Sequence, residues 1–301
     1  AWDGTDWTPL ANGLGFGEEG KALTVFDDGS GPDLYVGGNI DTISGVTING
    51  VARWDGVAFS ALDGAAGTGL TPSASAEALA LAVFNDGSGD ALYVGGNFDE
   101  AGGVAANGLA RWRVSDGWTA VGGFSPAGAS VTVRSLTVFD DGSGPALFVG
   151  GDFTQEDGVE VNGVVRWDGK SFEALTDAQG TGVGFSDGDF KVNSVFATDA
   201  GDGQKLFVGG LFDTAGGQAA YGMATWNGQS WSPLIGDVEP PLDVPEIYTQ
   251  TTSGGSLYLG GRFTNLGPEA SLNFGSYRDR PSLFNDGFES GDTSAWTSVF
   301  P

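Results

Sequence analysis

Five copies of one short pattern set the limits on what this chain can fold into. An apolar triplet followed by two glycines appears as Leu34-Tyr35-Val36-Gly37-Gly38, Leu92-Tyr93-Val94-Gly95-Gly96, Leu147-Phe148-Val149-Gly150-Gly151, Leu206-Phe207-Val208-Gly209-Gly210 and Leu257-Tyr258-Leu259-Gly260-Gly261. Successive copies lie 58, 55, 59 and 51 residues apart. A second landmark follows each copy: Arg53-Trp54-Asp55-Gly56, Arg111-Trp112, Arg166-Trp167-Asp168-Gly169, Thr225-Trp226-Asn227-Gly228 and then Tyr277-Arg278-Asp279. An acidic turn precedes the first three, as Val25-Phe26-Asp27-Asp28-Gly29-Ser30-Gly31 and its counterparts from Val83 and Val138. The turn has decayed in the fourth and fifth copies. A period of this size marks stacked units, each too small to bury its own apolar face alone.

Within one period the pattern reads as four short strands. Ala22 to Phe26 is apolar and β-prone, and Asp27 to Pro32 is turn chemistry. Leu34 to Val36, Val51 to Trp54 and Val57 to Leu62 supply the other three strands, with Asp55-Gly56 as a tight turn. Helical periodicity is absent almost everywhere. Four strands in each repeat is the arithmetic of a propeller blade. The expectation is an all-β fold, a five-bladed β-propeller of four-stranded antiparallel blades over residues 1–280.

Closure follows from the chain's first residues. Ala1 to Leu10 matches the third-strand, turn and fourth-strand part of a blade, as in Arg166 to Leu175. The fifth period lacks a clear fourth strand, so Asp6 to Leu10 is expected to complete it and close the ring. Trp2 and Tyr277 both match the third-strand slot, a conflict that the sequence leaves open. The diglycines are expected where strands crowd together or at a bulge.

Composition removes whole classes of chemistry. There is no histidine and no cysteine. That excludes Ser-His-Asp and Cys-His catalysis, thiolate zinc sites and disulfides. With 12 basic against 39 acidic residues the formal net charge is −27, which argues against a nucleic-acid partner. No apolar run reaches the roughly 18 residues of a membrane-spanning helix.

The string Leu92 to Asp99, continued by Ala101-Gly102-Gly103, Leu109-Ala110-Arg111-Trp112 and Trp118, resembles a repeat of secreted bacterial β-propellers. It is similar also to the extracellular propeller of fungal cortical polarity markers, and more loosely to kelch blades. The likeness implies a fold and little more, because propellers host enzymes, lectins and scaffolds alike. Residues 281–301 form a separate tail. Its Gly287-Phe288-Glu289-Ser290-Gly291-Asp292-Thr293-Ser294-Ala295-Trp296 resembles an ending shared by many unrelated secreted proteobacterial proteins. That resemblance implies an exported bacterial protein, extracellular or at the cell surface, with a shared sorting or docking end; removal of a signal peptide is the accompanying expectation.

Three sets of residues invite functional readings. Asp27, Asp28, Asp86, Asp140, Asp141, Asp199 and Asp202 present hard oxygen ligands that could hold calcium weakly, although as plain hairpin turns they need no metal. Trp7, Trp118 and Trp231 recur on the fourth strand, where they could stack on sugars or simply pack between blades. Leu283, Phe284, Phe288, Trp296, Val299 and Phe300 are apolar residues beyond the ring. Added to another copy's sheet edge, they would give a head-to-tail contact that builds a fibre.

Arg53, Arg111 and Arg166 share one register and are expected to pair with a neighbouring carboxylate. Gly184-Phe185-Ser186-Asp187-Gly188 spells a nucleophile elbow, but no histidine exists to serve as its base. Acids that recur in every repeat have a structural duty, whereas a catalytic acid is needed once. The expected protein has no catalytic residue and no cofactor. It is structural or adhesive, associating with itself or with a surface matrix. A carbohydrate-binding propeller is the first alternative, and a glycoside hydrolase using Asp and Glu is the second.

Overall fold

The computed structural model describes residues 4–10, 13–64, 66–71, 76–126, 130–186, 188–199, 203–234, 244–254, 256–263, 265–266, 269–270 and 273–277. Among them there are strands and no helix. Each period becomes one antiparallel sheet whose strands lie in chain order, apart from a short hairpin inserted between the second and third. Repeat 1 comprises Glu19–Asp27, Pro32–Asn39, Val51–Trp54 and Phe59–Ala61. Repeat 2 comprises Glu77–Asn85, Asp90–Asn97, Leu109–Arg113 and Gly117–Ala120. Repeat 3 comprises Val133–Asp140, Pro145–Gly151, Val164–Trp167 and Phe172–Ala174. Repeat 4 comprises Lys191–Asp199, Gln204–Leu211, Met223–Trp226 and Trp231–Pro233. Repeat 5 comprises Glu246–Ser253, Ser256–Arg262 and Phe274–Tyr277. A single pair, Leu211 with Glu246, joins the fourth and fifth sheets edge to edge.

The inserted hairpins were not anticipated. Thr42–Ile43 with Val46–Thr47 is the first, and later copies accept a third strand from the segment entering their repeat, as Leu70–Thr71 does beside Glu100–Ala101. An Asn-Gly pair after each of the first three hairpins turns the chain back into the third strand. Asn107 and Gly108 both hold positive φ, 44° and 88°. The Asn107 side chain donates to the Phe124 carbonyl at 2.7 Å, and Asn49 donates likewise to Thr68 at 3.1 Å. Each asparagine therefore stitches its own repeat to the segment entering the next one.

Both glycines of the repeated pair are required, for different reasons. The second faces a bulge in the first strand, where register shifts between Gly20 and Ala22 or between Ala78 and Ala80. A Cβ at Gly38 or Gly96 would overlap the carbonyl oxygen of Glu19 or Glu77. The first glycine faces the next repeat. A Cβ on Gly37 would press on Ala78 at 3.0 Å, one on Gly95 on Val133, one on Gly150 on Val192 at 2.8 Å, and one on Gly209 on Ile247 at 2.8 Å.

Packing between repeats is accordingly concentrated at the first strands, which contact one another in order from repeat 1 to repeat 5. Four apolar clusters fill the four junctions. At the first junction Phe26, Tyr35 and Val51 of repeat 1 meet Leu92, Val94 and Trp112 of repeat 2, with Leu81 and Val83 packed against them. Similar clusters lie between repeats 2 and 3, 3 and 4, and 4 and 5. A fifth cluster, holding Val36, Ile40, Ile43, Ile48 and Ala52, belongs to repeat 1 alone.

No closed ring forms among the described residues. The first strands of repeats 1 and 5 have no packing comparable to that at the other junctions. Residues 4–10 form no strand. The third-strand slot of repeat 5 is filled by Tyr277, paired with Leu257. Trp7, in the segment expected to close the ring, takes part in an isolated β-bridge, and the described part of the repeat 5 sheet runs to Phe274–Tyr277.

Candidate functional site: paired carboxylates and an uncovered sheet face

The acidic turns are caps and clasps. The first side chain of each turn accepts backbone N–H groups: Asp27 from Gly29 and Gly31 at 2.9 and 3.0 Å, Asn85 from Gly87 and Gly89 at 2.9 and 3.4 Å, Asp140 from Gly142 and Gly144 at 2.9 and 3.0 Å. The second aspartate reaches across to the third strand. Asp28 accepts from Ser30 and from the Tyr35 hydroxyl at 3.1 Å, and lies 3.2 Å from the Arg53 guanidinium. Asp86 repeats this with Ser88, Tyr93 and Arg111, and adds Arg113 at 2.8 Å. Asp141 lies 3.5 Å from Arg166. The arginine register therefore serves the purpose that its spacing suggests.

Burial pushes the Asp28 and Asp86 carboxyls up, but the partners outweigh it. Ser30, Tyr35 and Arg53 hold Asp28 below the ordinary carboxylate range. Ser88, Arg113 and Arg111 do the same for Asp86. Burial, together with the Asp86 charge, pushes the Tyr93 hydroxyl up to about 12 despite the Trp167 donor beside it.

These contacts bear directly on calcium. Asp28, Asp86 and Asp141 are turned to guanidinium, hydroxyl and amide donors, not to a common centre. Asp199 accepts from Gly203 at 3.1 Å, and Asp202 lies outside the described residues. No group of three or more acidic side chains among the described residues is arranged to hold a metal.

The tryptophans divide in two. Trp118 and Trp231 are buried, and each donates its indole N–H to a carbonyl of the preceding segment at 2.9 Å, Leu62 and Leu175 respectively. Gly102 and Gly216 leave room for their rings. The sugar-stacking expectation is corrected for both, since neither can offer a ring face to a ligand. Trp7 is 79% exposed. All six apolar tail residues, Leu283, Phe284, Phe288, Trp296, Val299 and Phe300, lie outside the described residues.

Two further polar features escaped the sequence reading. Arg134, at the bulge of repeat 3, makes a two-pronged pair with Asp152 at 2.5 and 2.8 Å. That bond holds it above its ordinary value, and Glu246 of repeat 5 and Glu77 of repeat 2 add to the effect. Charges of three repeats therefore act on one guanidinium. Glu156 is buried in the short strand Phe153–Glu156 and accepts the Gly123 N–H at 3.1 Å. Burial, with a smaller push from Asp157, raises its carboxyl above the usual range. A groove of about 400 Å³ runs between Asp28 and the Arg113-Val114 turn. Arg113 is already occupied there by Asp86, Ser88 and the carbonyls of Gly89 and Asp90.

The exposed apolar surface has a definite location. Leu23 and Val25 on the first strand are 67% and 62% exposed. They stand at the same register as Leu81 and Val83 of repeat 2, because Leu23 pairs with Val36 as Leu81 pairs with Val94. The second-repeat pair is covered by the rear of repeat 1. Leu34, Phe59 and Ala61 extend the same face beside Val36 and Ala52. At the other end, Thr249, Thr251 and Ser253 are exposed on the rear of repeat 5. Among the described residues Gly260, the fifth copy of the glycine that admits a following repeat, meets only Thr249 of its own sheet.

No protein-family model and no curated protein matches the chain. Two solved structures of the extracellular domain of BT4673 from B. thetaiotaomicron are similar to it at 14% identity. They align over 87% and 89% of this chain, with TM-scores of 0.47 and 0.43. The chain spans 27% and 33% of their lengths.

Proposed function

We propose that this chain is a non-catalytic structural or adhesive protein of the bacterial cell exterior that assembles with copies of itself. The five-bladed propeller that the repeats suggest is part of this reading, supported by the way successive sheets pack through their first strands. The observation that carries this reading is the uncovered face of Leu23 and Val25, whose second-repeat counterparts Leu81 and Val83 are packed against the rear of repeat 1. Large exposed apolar patches mark interaction sites. The repeated polar groups are consumed in holding each sheet together, as Asp28 with Arg53 and Asp86 with Arg111 illustrate.

Sedimentation velocity over a concentration series tests the reading. Species larger than a monomer that grow with concentration support it. A monomer at every concentration overturns it, and so does hydrolysis of a polysaccharide that one Asp or Glu substitution abolishes.

A further inference from the structure

We infer that self-association uses the repeat junction itself, with the front face of repeat 1 docking on the rear face of repeat 5 of a second copy. The inference rests on the self-assembly proposed above and names its surface.

The argument is one of internal precedent. Every junction within the chain joins the rear of one sheet to the front of the next. The rear contributes an aromatic residue of the second strand and a glycine beside it, as Tyr35 and Gly37 do. The front lays its first strand over that glycine, as Leu81 and Ala78 do. Two such faces remain unused. The front of repeat 1 offers Leu23, Val25, Leu34 and Val36, the counterparts of Leu81, Val83, Leu92 and Val94. The rear of repeat 5 offers Tyr258 and Gly260, the counterparts of Tyr35 and Gly37. Leu23 thus has a fitted place above Gly260, the one of the five leading glycines that no following repeat covers among the described residues.

A second copy is the occupant, because among the described residues the first strand of repeat 1 has no packing on repeat 5 comparable to that at the four internal junctions. The contact is heterologous, so each copy keeps one face free to bind another.

Two variants and their mixture test the inference. Leu23→Asp places a charge on an exposed front position, and Thr251→Arg places one on an exposed rear position, so both should fold. Each alone is expected to be monomeric at concentrations where the wild type associates. Mixed, they are expected to form a 1:1 dimer and nothing larger, since each retains one intact face. Wild-type assembly unaffected by either variant, but lost on deleting residues 282–301, would overturn this interface while leaving self-assembly in place. A wild type that is monomeric throughout would overturn both.

Discussion

Leu81 of the second sheet lies against the position where Gly37 of the first sheet lacks a side chain. This contact recurs in kind at the three later junctions, through Val133, Val192 with Val195, and Ile247. It explains why a glycine follows each apolar triplet, and it makes the junction a reusable surface.

The second glycine of the pair gives a sharper test of the same geometry. Gly96→Ala would drive a methyl into the Glu77 carbonyl, which a fixed backbone cannot yield. The expected cost is about 3 kcal/mol. Gly89→Ala, a turn position with open space around it and a φ of 114°, should cost only about 1 kcal/mol, from backbone strain. Urea denaturation of the two variants checks the order. Equal costs would mean that the bulge is not as described.

Trp118→Ala tests whether that ring is packing or binding surface. It removes a buried indole and the hydrogen bond to Leu62, so a loss of about 3–5 kcal/mol is expected. The unfolding midpoint should fall steeply. A variant as stable as the wild type would return Trp118 to the exposed, ligand-facing role.

The strand positions were legible in the sequence because a four-strand pattern repeated five times averages out local ambiguity. Val51 to Trp54 stands as read, and the arginine–carboxylate pairing followed from register. The two-residue strands such as Thr42–Ile43 carry no periodicity to read. Arg134 and Glu156 were invisible as special residues because their partners, Asp152, Glu246 and Gly123, come together only when sheets stack. Leu23 and Leu81 look alike in sequence. Only the stacked array shows that one is covered and the other is not.

Acid should loosen the fold through the clasps. The folded values of Asp28 and Asp86 lie below the unfolded aspartate value of about 3.9. Their contribution is therefore complete above that value and is lost as pH falls below it. Asp86→Asn should cost about 3 kcal/mol at neutral pH, since it unbalances two arginines. The gap to the wild type should shrink as pH falls from 4 towards 2. A gap independent of pH would contradict the ion-pair account.

Glu156 has the opposite sign. Its folded value is raised, so its ionised form is disfavoured once pH rises through that value. Glu156→Gln keeps an oxygen for the Gly123 N–H. It should raise the melting temperature at pH 7 and leave it unchanged below the unfolded glutamate value of about 4.3. Destabilisation at pH 7 would show instead that the charge is used.

The absence of cysteine permits a direct test of the end-to-end junction. In a Leu23→Cys, Thr249→Cys double variant, mild oxidation should give a ladder of covalent multimers on a denaturing gel, with either single variant limited to dimers. A single monomeric band that migrates faster than the reduced chain would mean that the two faces meet within one molecule, and would contradict assembly through them.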